Sequence, residues 1–116
     1  MEDADRRRLL GLLGLGLRGR LAVVGVDRVR EAAHRGTLRV AVLAADASRN
    51  SREKVEGLLA AKGVPVLTVP SAAELGEVAG RDTTTIIGVV DAQLAKGILA
   101  SAGAADAVQK GSRGKV

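Results

Sequence analysis

From Leu38 to Ala44 the chain sets Val40, Val42 and Leu43 among small apolar residues, the pattern of a half-buried strand, and then turns polar at Ala45-Asp46-Ala47-Ser48. Asn50-Ser51-Arg52-Glu53 follows, offering capping oxygens and a carboxylate to the unpaired N–H groups of a helix start. Strand gives way to helix. The grammar returns at Gly63-Val64-Pro65-Val66-Leu67-Thr68-Val69, which stops at Pro70 before the capping box Ser71-Ala72-Ala73-Glu74. It returns again at Thr85-Ile86-Ile87-Gly88-Val89-Val90, which leads through Asp91 into a helical stretch ending near Ala100. Three strand-to-helix units in one small chain predict an α/β sandwich.

The remaining pattern fits around these units. Arg6-Arg7-Arg8 opens a first helix whose Leu9, Leu10, Leu12, Leu13, Leu15 and Leu17 cover several faces. Its glycines cost about 1 kcal/mol each relative to alanine, so packing must hold it. Gly19 reads as its C-cap, with Arg18 favourable at the negative helix end, and Leu21-Ala22-Val23-Val24 as a short edge strand. A second helix opens at Gly25, with Val26, Val29, Ala32 and Ala33 on its apolar face, and stops at Gly36. Ser51 to Ala61 predicts a helix with Val55, Leu58 and Leu59 inward, and Pro65 marks an edge or the beginning of a strand. Ser71 to Ala79 predicts another, closing on Gly80 before the loop Arg81-Asp82-Thr83-Thr84. Residues 1–102 form one expected domain. Beyond them the Gly, Ala and Ser content with Lys110, Arg113 and Lys115 predicts a flexible basic tail over 103–116.

Composition narrows the chemistry. The chain is 47% hydrophobic yet has no Phe, Tyr or Trp, so Leu, Val, Ile and Ala must fill the core. Modules that stack bases on aromatic rings are thereby excluded. The net charge of +5 is unevenly spread: Arg18, Arg20, Arg28, Arg30, Arg35 and Arg39 face only Asp27 and Glu31 in their stretch. Arginine suits bidentate contacts to phosphates and base edges, so the bias points to nucleic acid as well as to a merely solvated surface. Absence of cysteine removes disulfides and thiolate metal sites. The longest apolar run, Leu9 to Leu17, is glycine-broken and far shorter than the roughly 20 residues of a membrane span, and no small-residue cleavage site follows it. A soluble, cytoplasmic protein with no membrane partner is expected.

Candidate motifs divide sharply. Gly14-Leu15-Gly16-Leu17-Arg18-Gly19 has the G-x-G-x-x-G spacing of a pyrophosphate loop, but it lies in the first helical segment and lacks an acidic residue some 20 positions on. His34 has no partner for a triad or a metal site, Thr83-Thr84-Thr85 has no activating base, and Asp46 and Asp91 read as helix caps. No enzyme chemistry, cofactor or metal is expected. What stands is Gly25-Val26-Asp27-Arg28-Val29-Arg30-Glu31 at a helix start, with Arg35-Gly36 after it. A helix N-terminus offers free N–H groups and a positive dipole end to phosphate. An ordinary amphipathic helix is the plainer alternative.

The order of motifs resembles the RNA-binding ribosomal protein family known as L-seven-Ae, and most of all its short bacterial YlxQ-type branch, from Leu9 to about Leu99. The pieces are Leu10-Gly11-Leu12 with Gly19-Arg20-Leu21, Gly25, Arg35-Gly36, Val42-Leu43-Ala44-Ala45-Asp46-Ala47-Ser48 and Gly63-Val64-Pro65-Val66. Glu74-Leu75-Gly76 with Gly80, and Val89-Val90-Asp91 with Ala95-Lys96, complete the order. The resemblance implies a three-layer α/β/α sandwich around a mixed four-stranded sheet. Kink-turn binders of this family open the second helix with Gly-Thr-Asn-Glu-Thr-Thr-Lys against sheared G·A pairs, and cover an extruded base with the loop before the last strand. Here Gly25 is retained, while the Asn becomes Asp27, the Glu becomes Arg28 and the Lys becomes Glu31. An ionised Asp only accepts hydrogen bonds where Asn also donates, so these departures bear on kink-turn selectivity.

The resulting expectation is a non-enzymatic RNA-binding protein of ribosomal-protein type, a ribonucleoprotein component whose partner is structured ribosomal or regulatory RNA, or the ribosome. Its contact set is Gly25, Val26, Asp27, Arg28, Arg30, Glu31 and Arg35 on the second helix, with Arg81, Thr83 and Thr84 on the loop. The alternative is a protein-interaction module docking on a ribosomal or transcription-linked partner.

Overall fold

The fold is described here from a computed structural model over residues 2–69 and 71–102. The expected strand stop at Pro70 and the expected tail over 103–116 lie outside the described residues.

Among the described residues nine elements follow in chain order: α1 Asp3–Arg18, β1 Ala22–Val24, α2 Val26–Arg35, β2 Val40–Ala44, α3 Arg49–Ala61, β3 Val66–Val69, α4 Ala72–Ala79, β4 Ile86–Val89 and α5 Ala92–Ser101. The strands form one sheet in the order β1-β4-β2-β3, with β4 antiparallel to both β1 and β2, and β2 parallel to β3. This is the expected mixed four-stranded sheet, with β1 and β3 at its edges.

Strand alternation distributes the core onto two faces. Val40, Val42 and Ala44 point to the side where Leu9 and Leu13 of α1, Leu75 of α4 and Ile98 of α5 are buried. Ala41 and Leu43 point to the other, against Val29 of α2 and Val55 and Leu59 of α3. Each leucine buried in this way contributes roughly 2 kcal/mol. The three layers follow.

β2 departs from its expected half-buried character, since all five of its residues are buried. Its place between β4 and β3, with helices on both faces, leaves no solvent side, and its lack of polar residues accommodates that. Two helix boundaries also move. α1 begins at Asp3, because Asp3 and Asp5 favour the positive helix end and Asp3 accepts from Arg6 at 2.6 Å. α3 begins at Arg49, because Ser48 Oγ accepts from the Ser51 N–H at 3.1 Å and takes the capping role assigned to the residues after it.

Ser71 and Asp91 cap as expected, accepting from the N–H groups of Glu74 and Leu94. Asp46 caps a different helix from the one it precedes. Its Oδ1 accepts from the Ala72 N–H at 2.8 Å, at the start of α4, while the Ala72 carbonyl accepts from the Thr84 N–H at 2.9 Å. The loop after β2 thus holds α4, and α4 holds the segment before β4. Replacing Asp46 by alanine is expected to cost about 1 kcal/mol in urea unfolding, as loss of a cap does, with Asp46→Asn retaining most of it. Equal destabilisation by both variants would contradict the capping role.

Candidate nucleic-acid interface

The chain leaves β1 and enters α2 through Gly25, whose φ of +100° is closed to side chains that carry a Cβ at ordinary cost. A Cβ there would meet nothing within 4 Å among the described residues, so the dihedral and not the space demands glycine. The Gly25 N–H donates to the Ile86 carbonyl of β4 at 3.0 Å, and its carbonyl receives the first helical bond, from Val29. Among the described residues no side chain caps α2, so the amides of its first turn keep their donors for solvent or ligand. Asp27 lies in that turn, favourable to the dipole.

Along α2 the expected contact residues take different surroundings. Arg28 is exposed, and no carboxylate lies within ion-pair distance of it among the described residues. Arg30 is half-buried and donates to the Lys54 carbonyl of α3. Arg35 donates to Glu31 at 2.9 Å, one turn away. Val26 is half-buried against the core between α2, α3 and the sheet. His34 is exposed.

The loop between α4 and β4 supplies the other side. Gly80 ends α4 in the left-handed region at φ +73°, and the Arg81 N–H donates to the Gly76 carbonyl at 2.8 Å. Gly76 is the seat of this loop: a Cβ on it would meet Asp82 O at 2.6 Å, Thr83 Cα at 2.7 Å and Arg81 O at 2.8 Å. Arg81 and Thr83 are exposed. Thr84 is withdrawn from the surface, only 5% exposed, with its hydroxyl unpartnered among the described residues. It serves the loop's anchoring through its N–H and does not present its side chain to a ligand.

These parts converge. A hollow of about 480 Å³ is floored by Val23 and Val24 of β1 and bordered by Arg28 of α2, Arg81 of the loop and Arg20 just past α1. A second hollow, of about 470 Å³, is bordered by Arg28, Glu31 and Arg35. Arg28 belongs to both. The sequence reading missed Arg20 as a site residue and Gly76 as the loop's seat. Arg20 carried one usable signal, its place in a basic stretch directly after a helix-ending glycine.

The pyrophosphate-loop spacing at Gly14 to Gly19 serves packing. Gly14 and Gly16 lie inside α1, Gly16 is buried beside Leu94 of α5, and Gly19 is the C-cap. Among the described residues no three His, Asp or Glu side chains gather as a metal site, and no helix is long and apolar enough to cross a membrane.

Comparison with known proteins agrees with this architecture. A protein of unknown function from Bacillus halodurans C is similar to the chain at 28% identity and a TM-score of 0.77, covering 83% of this chain and 97% of that one. The Giardia lamblia 15.5kD RNA binding protein shares the fold at 20% identity and a TM-score of 0.75, covering 93% of this chain and 92% of its own. No curated protein matches. The model of the Ribosomal protein L7Ae/L30e/S12e/Gadd45 family matches residues 9–99, from the first buried leucine of α1 into α5. By that match over most of its length, the chain belongs to the ribosomal protein L7Ae/L30e/S12e/Gadd45 family.

Proposed function

We propose that the chain is a non-enzymatic, cytoplasmic RNA-binding protein of the YlxQ-type branch, a single domain over residues 1–102 that reads structured RNA by shape, with kink-turn RNA as its first candidate. The observation that carries the reading is the convergence of an uncapped helix start and a seated loop around a hollow bordered by exposed arginines. Family membership and the fold shared with an RNA binding protein support it. With no aromatic rings, recognition falls to guanidinium planes, which stack on bases and fork onto phosphates, and to main-chain amides. Gly25 lets RNA approach the backbone, Arg28 and Arg81 meet phosphate or purine edges, and Thr83 offers a hydroxyl beside them.

Titration with a kink-turn RNA and a plain duplex at two salt concentrations tests the reading. Two to three phosphate contacts lose roughly 10- to 50-fold in affinity between about 50 and 200 mM salt. No binding to either RNA removes the proposal. Equal affinity for both removes the kink-turn preference and leaves general RNA binding.

A second reading is favoured by one observation: Glu31 holds Arg35, and Arg30 is turned onto α3, which takes two cations from the expected contact face. A face of mixed charge suits docking on a ribosomal or transcription-linked protein. Retention of such a partner after nuclease treatment, with no affinity for RNA, selects this reading.

A further inference from the structure

The turn that ends α1 holds a residue with backbone strain. Gly19, the C-cap, sits at φ −90°, and the left-handed position falls one residue later, on Arg20 at φ +61°. The turn's bonds are in place: Gly19 donates to Leu15 at 3.0 Å, Arg20 to Leu17 at 3.2 Å and Leu21 to Gly16 at 2.7 Å. Gly25, Gly36, Gly63 and Gly80 fill the other positive-φ positions among the described residues, and Arg20 is the one residue with a Cβ among them. Glycine would occupy position 20 at no steric cost. An arginine there costs local stability, and strain of this kind collects at binding sites.

The guanidinium has no ion-pair partner within the described residues. It borders the hollow that Arg28 and Arg81 also border. We propose that Arg20 is a third phosphate-binding residue of this site, closing with Arg28 and Arg81 a cradle for neighbouring phosphates of the RNA backbone. The three cations come from separate segments, the turn after α1, the first turn of α2 and the loop before β4. The RNA backbone is therefore held at three points, which fixes its position where a single arginine would only attract it. The inference rests on the RNA-binding reading above.

A purely structural role is the competing explanation, since a cation after α1 also favours the helix dipole. Arg20→Gly separates the two roles. Under the proposal it relieves the strain and raises Tm by about 4 °C, as roughly 1 kcal/mol does in a domain of this size. It also weakens RNA about tenfold and lowers the magnitude of the salt slope by about one, the signature of one lost phosphate contact. Arg20→Lys keeps the charge and most of the slope. Unchanged RNA affinity in Arg20→Gly, alongside weakened binding in Arg28→Ala, overturns the role of Arg20 and leaves RNA binding standing. Wild-type protein that binds neither kink-turn nor duplex RNA overturns both. A last arm adds inorganic pyrophosphate. Stabilisation that Arg20→Gly abolishes, with RNA affinity unmoved, assigns the cradle to a free anion and defeats the proposal.

Discussion

Gly76→Ala is expected to destabilise the protein by a net ~2 kcal/mol and to weaken RNA binding along with it. The sign needs argument, because alanine in a helix interior normally gains about 1 kcal/mol over glycine. Against that gain stand three contacts of the new Cβ, to Asp82 O, Thr83 Cα and Arg81 O, all between 2.6 and 2.8 Å. Those atoms are backbone, so no rotamer change can relieve them. Overpacking of this kind costs about 3 kcal/mol at the upper end of its usual range, which outweighs the propensity gain. The relief open to the molecule is to lift the Arg81–Thr83 segment off α4, which strains the Arg81-to-Gly76 and Thr84-to-Ala72 hydrogen bonds and moves Arg81 out of the hollow. Gly57→Ala is the internal control. Gly57 lies inside α3, and a Cβ there meets nothing within 4 Å among the described residues, so alanine is expected to stabilise by up to about 1 kcal/mol. Urea unfolding of the two variants should therefore move the midpoint in opposite directions. If both move upward, the loop is not seated on Gly76.

What could be read in the sequence was whatever its own neighbourhood decides. Gly36 and Gly80 end their helices in the left-handed region because only local dihedral cost is at stake, and Ser71 and Asp91 cap because their acceptors reach N–H groups three residues on. Asp46 could be recognised as a cap but not assigned to its helix. Its donor is 26 residues away in sequence, and only the parallel pairing of β2 with β3 brings the start of α4 beside it. Burial of β2 on both faces was likewise invisible, since a run of Val, Ala and Leu is compatible with one covered face or two. At the candidate site the legible part was the glycine-led helix start and the loop before the last strand. Which arginines remain available was not legible. Arg28 and Arg30 are two residues apart and look equivalent on paper, yet helical rotation turns Arg30 onto the Lys54 carbonyl and leaves Arg28 at the hollow. Gly76 escaped because its close approach exists only between segments already folded, and Arg20 because the left-handed position is ordinarily read onto the helix-ending glycine just before it.

That difference between neighbouring arginines sets the largest effect expected on binding. Arg28→Glu should reduce RNA affinity by about 100-fold, close to 2.7 kcal/mol, with stability changed by no more than about 0.5 kcal/mol. The binding loss combines a missing charge-assisted contact with a carboxylate facing phosphate, two effects of about tenfold each. Stability is spared because the side chain is exposed and has no ion-pair partner among the described residues. Arg30→Glu should behave in the opposite way. It removes the hydrogen bond to Lys54, so about 1 kcal/mol of stability goes and RNA affinity falls less. Arg35→Glu sits between them, because its exposed pair with Glu31 contributes only about 0.3 to 0.5 kcal/mol and already neutralises it in part. Arg49→Glu makes the same change of two charge units at the start of α3, on a residue that borders neither hollow. If Arg49→Glu weakens RNA as much as Arg28→Glu, attraction is a matter of net charge, and the first turn of α2 has no special claim to the phosphate. If only Arg28→Glu does so, with its unfolding curve superimposed on that of the wild type, the contact is local, and the uncapped helix start is where the RNA sits.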